Sequence, residues 1–284
     1  MNLKKTLIVA PNAGFCNRLR TMVSAVYLAE KLEMNIEHLW LGTPYHCANN
    51  NIQNIHNKSF EYYFEENIKR CDYKNMINNV NNVYSEWLPM DGWYQFQSYG
   101  QKLLKTSVLL NLDLVNDKMD NSQNFLIESS HINNLKMTKN DKNRIYKTYF
   151  IPKNKFLNEI NMMDENIIGI HIRKGDFNIY FPETQIDDKL IIKWIENINS
   201  KIYFCSDDKI FEREIRKNLK NVLIPKFNNI DDVNDIDFLE FLSLSKCTKI
   251  YGTRKSSFSE EAALFGGIEY IPLKKDLICT TNDI

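Results

Sequence analysis

Short apolar segments alternate with amphipathic ones throughout the C-terminal half of the chain, and this alternation constrains the fold more than any other feature. Segments with the length of buried strands occupy residues 167–171, 201–205, 222–224, 249–252 and 268–271. Apolar residues at helical spacing predict helices at residues 186–198, 208–219, 235–245 and 258–265. This order predicts an α/β fold with a largely parallel sheet and crossover helices. Ligands of such sheets bind beyond the carboxyl ends of the strands, so the residues after each strand are the candidates for function.

The start of the chain follows the same pattern. It predicts a strand over residues 6–10, a helix over residues 17–33 and a strand over residues 36–40. Between residues 41 and 150 the pattern weakens into short helices and polar loops. Four aromatic residues in that region could stack on a sugar, with packing in a core as an equal alternative; they are Trp87, Trp93, Tyr94 and Tyr99. The change of pattern predicts two domains, at residues 1–155 and 156–284.

The charge balance argues against one large class of proteins. Lys plus Arg and Asp plus Glu are equal at 36 each, whereas nucleic-acid-binding proteins normally carry a net basic field. We therefore predict no nucleic-acid partner. A polyanionic ligand of this protein would have to be held by a local cluster of cations.

Cysteine usage and hydropathy bear on the location of the protein. The six cysteines are scattered without a C-x-x-C pair, a pattern that favours reduced thiols over disulfides or zinc. The apolar segment at residues 6–10 is too short for a signal peptide, and no stretch has the length of a membrane span. These features predict a cytoplasmic protein without an integral membrane segment.

A cluster of polar residues ends the strand predicted at residues 167–171, namely His171, Arg173, Lys174 and Asp176. Burial of such groups without partners would be costly. The planar guanidinium of Arg173 suits phosphate oxygens, and Gly175 permits a turn or a close approach of the backbone. The pattern predicts a phosphate site, with a solvated loop held by an Arg173–Asp176 pair as the equal alternative.

Ser206, Asp207 and Asp208 follow the strand at residues 201–205 and precede a predicted helix. Two adjacent carboxylates could hold a nucleotide-bound cation. The alternative is that one Asp caps the helix and the other complements its dipole. We favour this alternative, because the sequence offers no third ligand, and we predict no metal.

Hydroxyl and basic residues follow the strand at residues 249–252 and open the next helix. Arg254 and Lys255 precede the segment Ser256, Ser257, Phe258 and Ser259. Ser257 and Glu260 predict a capping box with Ser257 as the N-cap. Hydroxyls and backbone N–H groups at a helix start, beside two cations, also predict an anion site.

Arg18 and Arg20 stand in the first turn of the helix predicted at residues 17–33, after Gly14 and Asn17. Positive charge is unfavourable at the positive end of the helix dipole, and a bound anion would relieve this conflict. The alternative is that Asn17 is the N-cap and that both arginines are exposed.

Four motifs, in this order, resemble the superfamily of inverting fucosyltransferases that act from GDP-fucose, which includes the α1,6-, α1,2- and protein O-fucosyltransferases. The motifs are Gly14-x-x-Asn17-Arg18, His171-x-Arg173-x-x-Asp176, Ser206-Asp207-Asp208 and Ser256-Ser257-Phe258-Ser259. The match covers the C-terminal half and the first forty residues. It implies a GT-B fold of two facing Rossmann-type domains, with the nucleotide-sugar donor bound mainly by the C-terminal domain and a carbohydrate acceptor on the N-terminal side.

The resemblance also implies a role for each matched residue. Arg173 would grip the donor phosphates and stabilise the departing GDP, while Asp176 and Asp207 would order it. His171 and Glu240 would hold the guanosine. The other implied donor-site residues, which line the pyrophosphate and base pocket or reach it from the facing domain, are Gly14, Asn17, Arg18, Lys174, Asp208, Ser256, Ser257, Phe258 and Ser259. The resemblance implies neither a metal nor a cofactor, since arginine and hydroxyl donors replace the cation.

Sugar transfer also needs a general base for the acceptor hydroxyl, and Asp176 and Glu183 are the candidates in the sequence. Two other functions stay open at this point. One is a GT-B enzyme that uses a different nucleotide-sugar, and the other is a non-catalytic module that binds a nucleotide or a glycan.

Overall fold

The computed structural model of the protein describes residues 5–11, 14–40, 45–46, 52–53, 58–71, 82–85, 124–129, 135–160, 166–223, 227 and 232–280. The chain divides into two compact units, Met1–Lys153 and Asn154–Ile284. The boundary predicted at residue 155 lies next to this division. The functional roles expected of the two domains stay predictions.

The described part of the N-terminal unit is built on a parallel sheet. Its elements are β1 (Thr6–Pro11), α1 (Phe15–Lys31), β2 (Asn35–His38), β3 (Tyr45–His46), β4 (Ile52–Gln53), α2 (Phe60–Tyr63), β5 (Lys69–Arg70), β6 (Asn82–Ser85), β7 (Asn124–Ser129) and α3 (Lys139–Tyr149). The sheet order is β5-β2-β1-β7-β6, with every neighbouring pair parallel, while β3 and β4 form an antiparallel pair. Strand β1 lies at the centre because its side chains are apolar on both faces: Leu7, Ile8 and Val9 are all buried.

The C-terminal unit repeats this plan with a second parallel sheet. Its elements are α4 (Asn154–Ile160), β8 (Ile168–Ile172), α5 (Phe177–Tyr180), a 3₁₀ turn (Pro182–Thr184), α6 (Asp188–Glu196), β9 (Ile202–Ser206), α7 (Lys209–Asn218), β10 (Val222–Leu223), α8 (Val233–Ser245), β11 (Lys249–Thr253), α9 (Ser257–Gly266), β12 (Glu269–Leu273) and α10 (Lys275–Thr280). The strand order is β10-β9-β8-β11-β12, and all neighbours are parallel.

Strand β8 occupies the centre of the second sheet. All its residues are buried, as are all those of β9, as expected for parallel strands covered on both faces. On one side the core continues into α6 and α7, where Trp194, Ile195, Phe211 and Ile215 belong to the same hydrophobic cluster as β8 and β9.

The predicted α/β fold with largely parallel sheets is confirmed. Every predicted strand and helix is present, and its described ends lie within two residues of the predicted ones. The predicted aromatic sugar-binding candidates Trp87, Trp93, Tyr94 and Tyr99 lie outside the described residues.

Candidate active site

The carboxyl ends of β8, β9 and β11 lie side by side. In the register of the sheet, His171 of β8 pairs with Cys205 of β9 and with Gly252 of β11. The segments that follow these three strands carry three of the four sequence motifs. The fold therefore brings residues near positions 173, 207 and 256 together at one edge of the sheet, where open α/β sheets bind ligands.

Arg173 lies at the centre of this edge, between two carboxylates. Its Nε and Nη2 atoms donate to Oδ1 of Asp176 at 3.2 and 2.9 Å, and Nε lies 3.2 Å from Oδ2 of Asp207. Burial alone would lower the pKa of Arg173, but Asp207 and Asp176 raise it above its ordinary value, so the guanidinium stays charged. Among the described residues, no hydrogen bond engages Nη1, which leaves that edge of the guanidinium for a ligand.

The backbone that carries Arg173 is fixed on both sides. Its N–H donates to Oγ1 of Thr253 at 2.9 Å, which ties β8 to β11. The next N–H, that of Lys174, donates to Oδ1 of Asp207 at 2.7 Å. A Cβ on Gly175 would lie 2.6 Å from Oδ2 of Asp207, so the close approach of this carboxylate requires glycine.

Lys174 is engaged away from the Arg173 cluster. Its Nζ lies 2.5 Å from the carboxylate of Asp188 and 3.7 Å from the centre of the Phe211 ring. These two contacts bind the side chain to α6 and α7. A role for Lys174 in donor binding stays a prediction, and it would require the ion pair with Asp188 to open.

Asp207 and Asp208 have different environments although they are neighbours. Oδ1 of Asp208 accepts from the N–H groups of Ile210 and Phe211, both at 3.0 Å, so Asp208 is the N-cap of α7 and the predicted cap is confirmed. The carboxylate of Asp207 was expected to complement the helix dipole, which stays a prediction, and its observed partners lie outside the helix. It points instead to Arg173 and to the N–H of Lys174, because the turn at Gly175 brings those donors within reach.

The start of α9 differs from the predicted capping box. The helix begins at Ser257, its N-cap is Ser256, and the Ser256 side chain makes no capping hydrogen bond. Ser257 is thus the first helical residue, and Ser259 takes the third position, where a capping box has its acidic partner. The first N–H groups of α9 consequently lack a side-chain cap at Ser256, and they lie next to the exposed cations Arg254 and Lys255.

His171, Phe258 and Ser259 form a buried contact between β8 and α9. Nδ1 of His171 lies 3.3 Å from Oγ of Ser259, and its ring centre is 4.9 Å from that of Phe258. Burial lowers the pKa of His171 to about 3, with the charges of Arg173 and Lys209 acting in the same direction. The imidazole is therefore neutral and able to both donate and accept hydrogen bonds.

Glu240 lies on α8 and is buried next to a cation that the sequence did not reveal. Nζ of Lys209 is 2.8 Å from Oε1 of Glu240 and 2.8 Å from Oε2 of Glu212. Burial raises the pKa of Glu240 to about 7 against the attraction of Lys209. The signal that could have revealed Lys209 is its place in the first turn of α7, where positive charge is unfavourable unless it is paired.

Asp237, one turn before Glu240, is a second group that the sequence did not single out. Burial raises its pKa to about 6, although Lys209 and Arg173 act in the opposite direction. The signal that could have revealed it is its spacing from Glu240, because residues three apart share one face of a helix.

Of the two general-base candidates, Glu183 is held by a cation. Its Oε1 accepts from Nζ of Lys255 at 2.7 Å, and this hydrogen bond lowers the pKa of Glu183. Asp176 is committed to Arg173. Either carboxylate would have to leave its partner in order to take a proton from an acceptor hydroxyl.

The remaining motif residues belong to the N-terminal unit. Helix α1 begins at Phe15 with Gly14 as its N-cap, so the alternative that placed Asn17 at the N-cap is wrong. The accompanying expectation of exposed arginines is also wrong, since Arg18 is fully buried and its Cζ lies 5.8 Å from the centre of the Trp40 ring. The assignment of Gly14, Asn17 and Arg18 to donor binding stays a prediction.

Two features are absent from the part of the chain that the structure describes, namely a cluster of metal ligands and a membrane-spanning helix. In that part, no three His, Cys, Asp or Glu side chains gather as a group that could hold a metal ion. No helix there combines the length and the apolar composition needed to cross a bilayer.

Comparison with known proteins identifies the fold. No protein-family model and no curated protein sequence matches the chain. Among solved structures, it is similar to the NodZ α-1,6-fucosyltransferase soaked with GDP-fucose (13% identity, 96% of each chain covered, TM-score 0.59). It is also similar to POFUT1 in complex with GDP-fucose (12% identity, 94% of this chain and 97% of that chain covered, TM-score 0.59). A third is fucosyltransferase NodZ from Bradyrhizobium (13% identity, 97% of this chain and 96% of that chain covered, TM-score 0.60).

The chain has the GT-B fold of these fucosyltransferases. The likeness extends over nearly the whole chain, so it is not confined to the C-terminal half, where the sequence motifs are concentrated. At such low identity the likeness concerns the fold, and function has to be argued from the site.

Proposed function

We propose that the protein is an inverting glycosyltransferase that transfers fucose from GDP-fucose to a hydroxyl of a glycan or a protein-linked sugar. The observation that carries the proposal is the position of Arg173, held between Asp176 and Asp207 at the carboxyl end of the central strand. Two proteins of the same fold were crystallised with GDP-fucose, the NodZ α-1,6-fucosyltransferase and POFUT1, which supports this donor over other nucleotide-sugars.

Arg173 would act on the leaving group. Fucose transfer breaks the bond between the anomeric carbon and the diphosphate, and negative charge grows on GDP as it departs. The free edge of the Arg173 guanidinium can donate to the phosphate oxygens. Because Asp176 and Asp207 balance its charge, additional attraction for the diphosphate would come from Arg254, Lys255 and the start of α9.

His171 and Glu240 would hold the guanosine part of the donor. The neutral imidazole of His171 and the carboxylate of Glu240 offer hydrogen-bond acceptors, and a guanine edge carries N–H donors. We assign Ser257, Phe258 and Ser259 to the wall of this pocket, where the Phe258 ring and the His171 ring already lie in contact. The C-terminal unit would thus bind the donor, and the N-terminal unit would bind the acceptor.

Metal-free catalysis and a cytoplasmic location are further parts of the proposal. Arg173 supplies the positive charge that a divalent cation would otherwise provide, so we propose that neither a metal nor a cofactor is needed. Two described cysteines of the C-terminal unit support the location: Cys205 and Cys247 are buried thiols outside any disulfide, as is usual in a reducing compartment.

Slow hydrolysis of nucleotide-sugars tests the function without knowledge of the acceptor. The protein is incubated with GDP-fucose, GDP-mannose, UDP-glucose and UDP-galactose, and release of free nucleotide is followed. We expect release from GDP-fucose alone, and its loss in the Arg173→Ala control. Hydrolysis of a UDP-sugar would indicate a different donor, whereas GDP binding without any hydrolysis would indicate a non-catalytic module.

A further inference from the structure

Lys209 connects two buried carboxylates that belong to different helices. It is the first residue of α7, and its Nζ lies 2.8 Å from Glu212 on the same helix and 2.8 Å from Glu240 on α8. Glu212 is also paired with Arg216. For Glu240, Lys209 is the one cation within ion-pair distance among the described residues.

We propose that Lys209 is a positioning residue for base recognition, which holds the Glu240 carboxylate charged and oriented toward the guanine edge of the donor. This inference rests on the proposed function. An ionised carboxylate has about four lone-pair positions, and Lys209 uses one of them, at Oε1. The others stay able to accept the N–H groups of guanine. A protonated Glu240 would present an O–H donor to those N–H donors, and binding would weaken.

Burial makes the charge of Glu240 depend on Lys209. Only 9% of the Glu240 side chain is exposed, and burial disfavours the ionised form. Five titratable groups interact electrostatically with Glu240. Lys209 and Glu212 lie on α7, Asp237 lies on α8, and Tyr203 and Cys205 lie on β9. Burial raises the pKa values of Tyr203 and Cys205, so both are uncharged at neutral pH. Lys209 is therefore the group in this set that favours ionised Glu240.

The pH dependence of base selectivity measures this role. The dissociation constants of GDP and UDP are determined by calorimetry between pH 6 and 9, and their ratio is compared, because the titration of the diphosphate itself cancels in it. The wild-type preference for GDP should fall as the pH drops below about 7, where Glu240 becomes protonated. In Lys209→Met we expect the preference at pH 7 to fall roughly tenfold or more. The pH midpoint should move up by about one unit or more.

Three comparison variants separate positioning from a structural effect. Lys209→Arg keeps the cation and should keep both the preference and its midpoint. Lys217→Met removes an exposed lysine from the same helix and should change neither. In a Glu240→Gln background, where the buried charge is absent, Lys209→Met should fold and should have no further effect on the ratio.

The outcomes distinguish this inference from the proposed function. A wild-type protein that does not prefer GDP would overturn the proposed donor, and this inference with it. A wild-type preference that Lys209→Met leaves unchanged, in size and in midpoint, would overturn the inference alone. If Lys209→Met does not fold, the Glu240→Gln variant is compared with the double variant Glu240→Gln/Lys209→Met. A lower GDP preference in the double variant than in Glu240→Gln would overturn the inference.

Discussion

Arg173 is oriented before any ligand arrives. Asp176 accepts from the Nε and Nη2 edge of its guanidinium, Asp207 approaches Nε, and Thr253 accepts from its backbone N–H. A donor fixed in this way needs no reorganisation when charge develops on a leaving group, and such preorganised donors provide much of the rate enhancement of enzymes. The two carboxylates thus act through Arg173.

Arg173→Lys tests this role. Lysine keeps the positive charge but loses the planar fork that can bind two phosphate oxygens while it pairs with Asp176. We expect kcat for GDP-fucose hydrolysis to fall by roughly two to three orders of magnitude, with a much smaller change in GDP affinity and in melting temperature. Arg213→Lys, an exposed arginine on α7, should leave turnover unchanged. Near-normal turnover of Arg173→Lys would show that the phosphate site lies elsewhere.

At the scale of elements, the close packing of α9 on β11 positions the His171–Ser259 contact. A Cβ on Gly252 would lie 2.3 Å from Oγ and 2.5 Å from Cβ of Ser259. Oγ could rotate away, but the Cβ of Ser259 is fixed to the helix backbone, so the helix would have to move away from the strand.

Gly252→Ala should therefore lower both stability and GDP binding. We expect a loss of roughly 1–3 kcal/mol in the free energy of unfolding, as for other overpacked sites, and weaker GDP binding because Ser259 moves away from His171. Glu269→Ala is the control, since Glu269 is exposed on the neighbouring strand β12 and its loss should change neither quantity. Chemical denaturation and calorimetry give the two quantities. Unchanged stability of Gly252→Ala would contradict the packing argument.

The N-cap of α7 offers a test of metal dependence. Asp208 accepts two backbone N–H groups, and Asn can do the same without charge. Asp208→Asn should therefore keep stability and hydrolytic activity, while Asp208→Ala should lose about 1 kcal/mol of stability and keep most of the activity. Both variants and the wild type should stay active in EDTA. Loss of activity in EDTA, restored by manganese, would indicate that the acidic pair holds a metal.

The elements of the C-terminal unit could be predicted from the sequence because their signals are local. Strands β8 and β9 are apolar on both faces, as buried parallel strands must be, and α6 repeats its apolar residues at helical spacing. The order of the strands was not predictable in this way. It depends on which strands pair, and β8 and β11, which are neighbours in the sheet, lie about eighty residues apart in the chain.

The contacts of the site were the least predictable part. Arg173 and Asp176 are three residues apart, and their pairing follows from the sequence. The contacts of Ser259 with His171 and of Lys209 with Glu240 join residues 88 and 31 positions apart. Such pairs form only when α9 and α8 pack on the sheet. The N-cap of α9 lies one residue before the predicted one. Ser256 and Ser257 are equally good cap residues by type, so the residue type does not distinguish them.

At the scale of the whole molecule, the net charge is balanced although charged side chains cluster at one site. The formal net charge is zero, yet the C-terminal unit gathers Arg173, Lys209, Asp237 and Glu240. Burial raises the pKa values of the two carboxylates, and neighbouring carboxylates raise those of the two cations. Overall charge therefore says little about this site. The fold is shared with the NodZ fucosyltransferase at only 13% identity. This is possible because the pattern of buried strands can persist while individual residues change.

The buried groups of the C-terminal unit make opposite contributions to the pH dependence of its stability. The pKa of His171 is lowered to about 3, so His171 binds more protons in the unfolded state and its contribution makes stability rise with pH up to about 6.5. The pKa values of Asp237 and Glu240 are raised to about 6 and about 7. These carboxylates bind more protons in the folded state, so their contributions make stability fall as pH rises from about 4 to 7.

Glu240→Gln removes one of the two carboxylates whose titration makes stability fall as the pH rises. At pH 5 the folded wild type holds Glu240 uncharged, much like the amide, so the two proteins should have similar melting temperatures. At pH 7.5 the wild type contains a buried carboxylate that the variant lacks. Between pH 5 and pH 7.5, the free energy of unfolding of the variant should therefore rise relative to that of the wild type by roughly 1–3 kcal/mol. Each kcal/mol should raise the melting temperature of the variant relative to that of the wild type by about 2–4 °C. The exposed Glu196→Gln is the matched control and should show no such trend in calorimetry. A melting-temperature difference between Glu240→Gln and the wild type that stays constant across this range would mean that Glu240 titrates in the folded protein as it does in the unfolded chain.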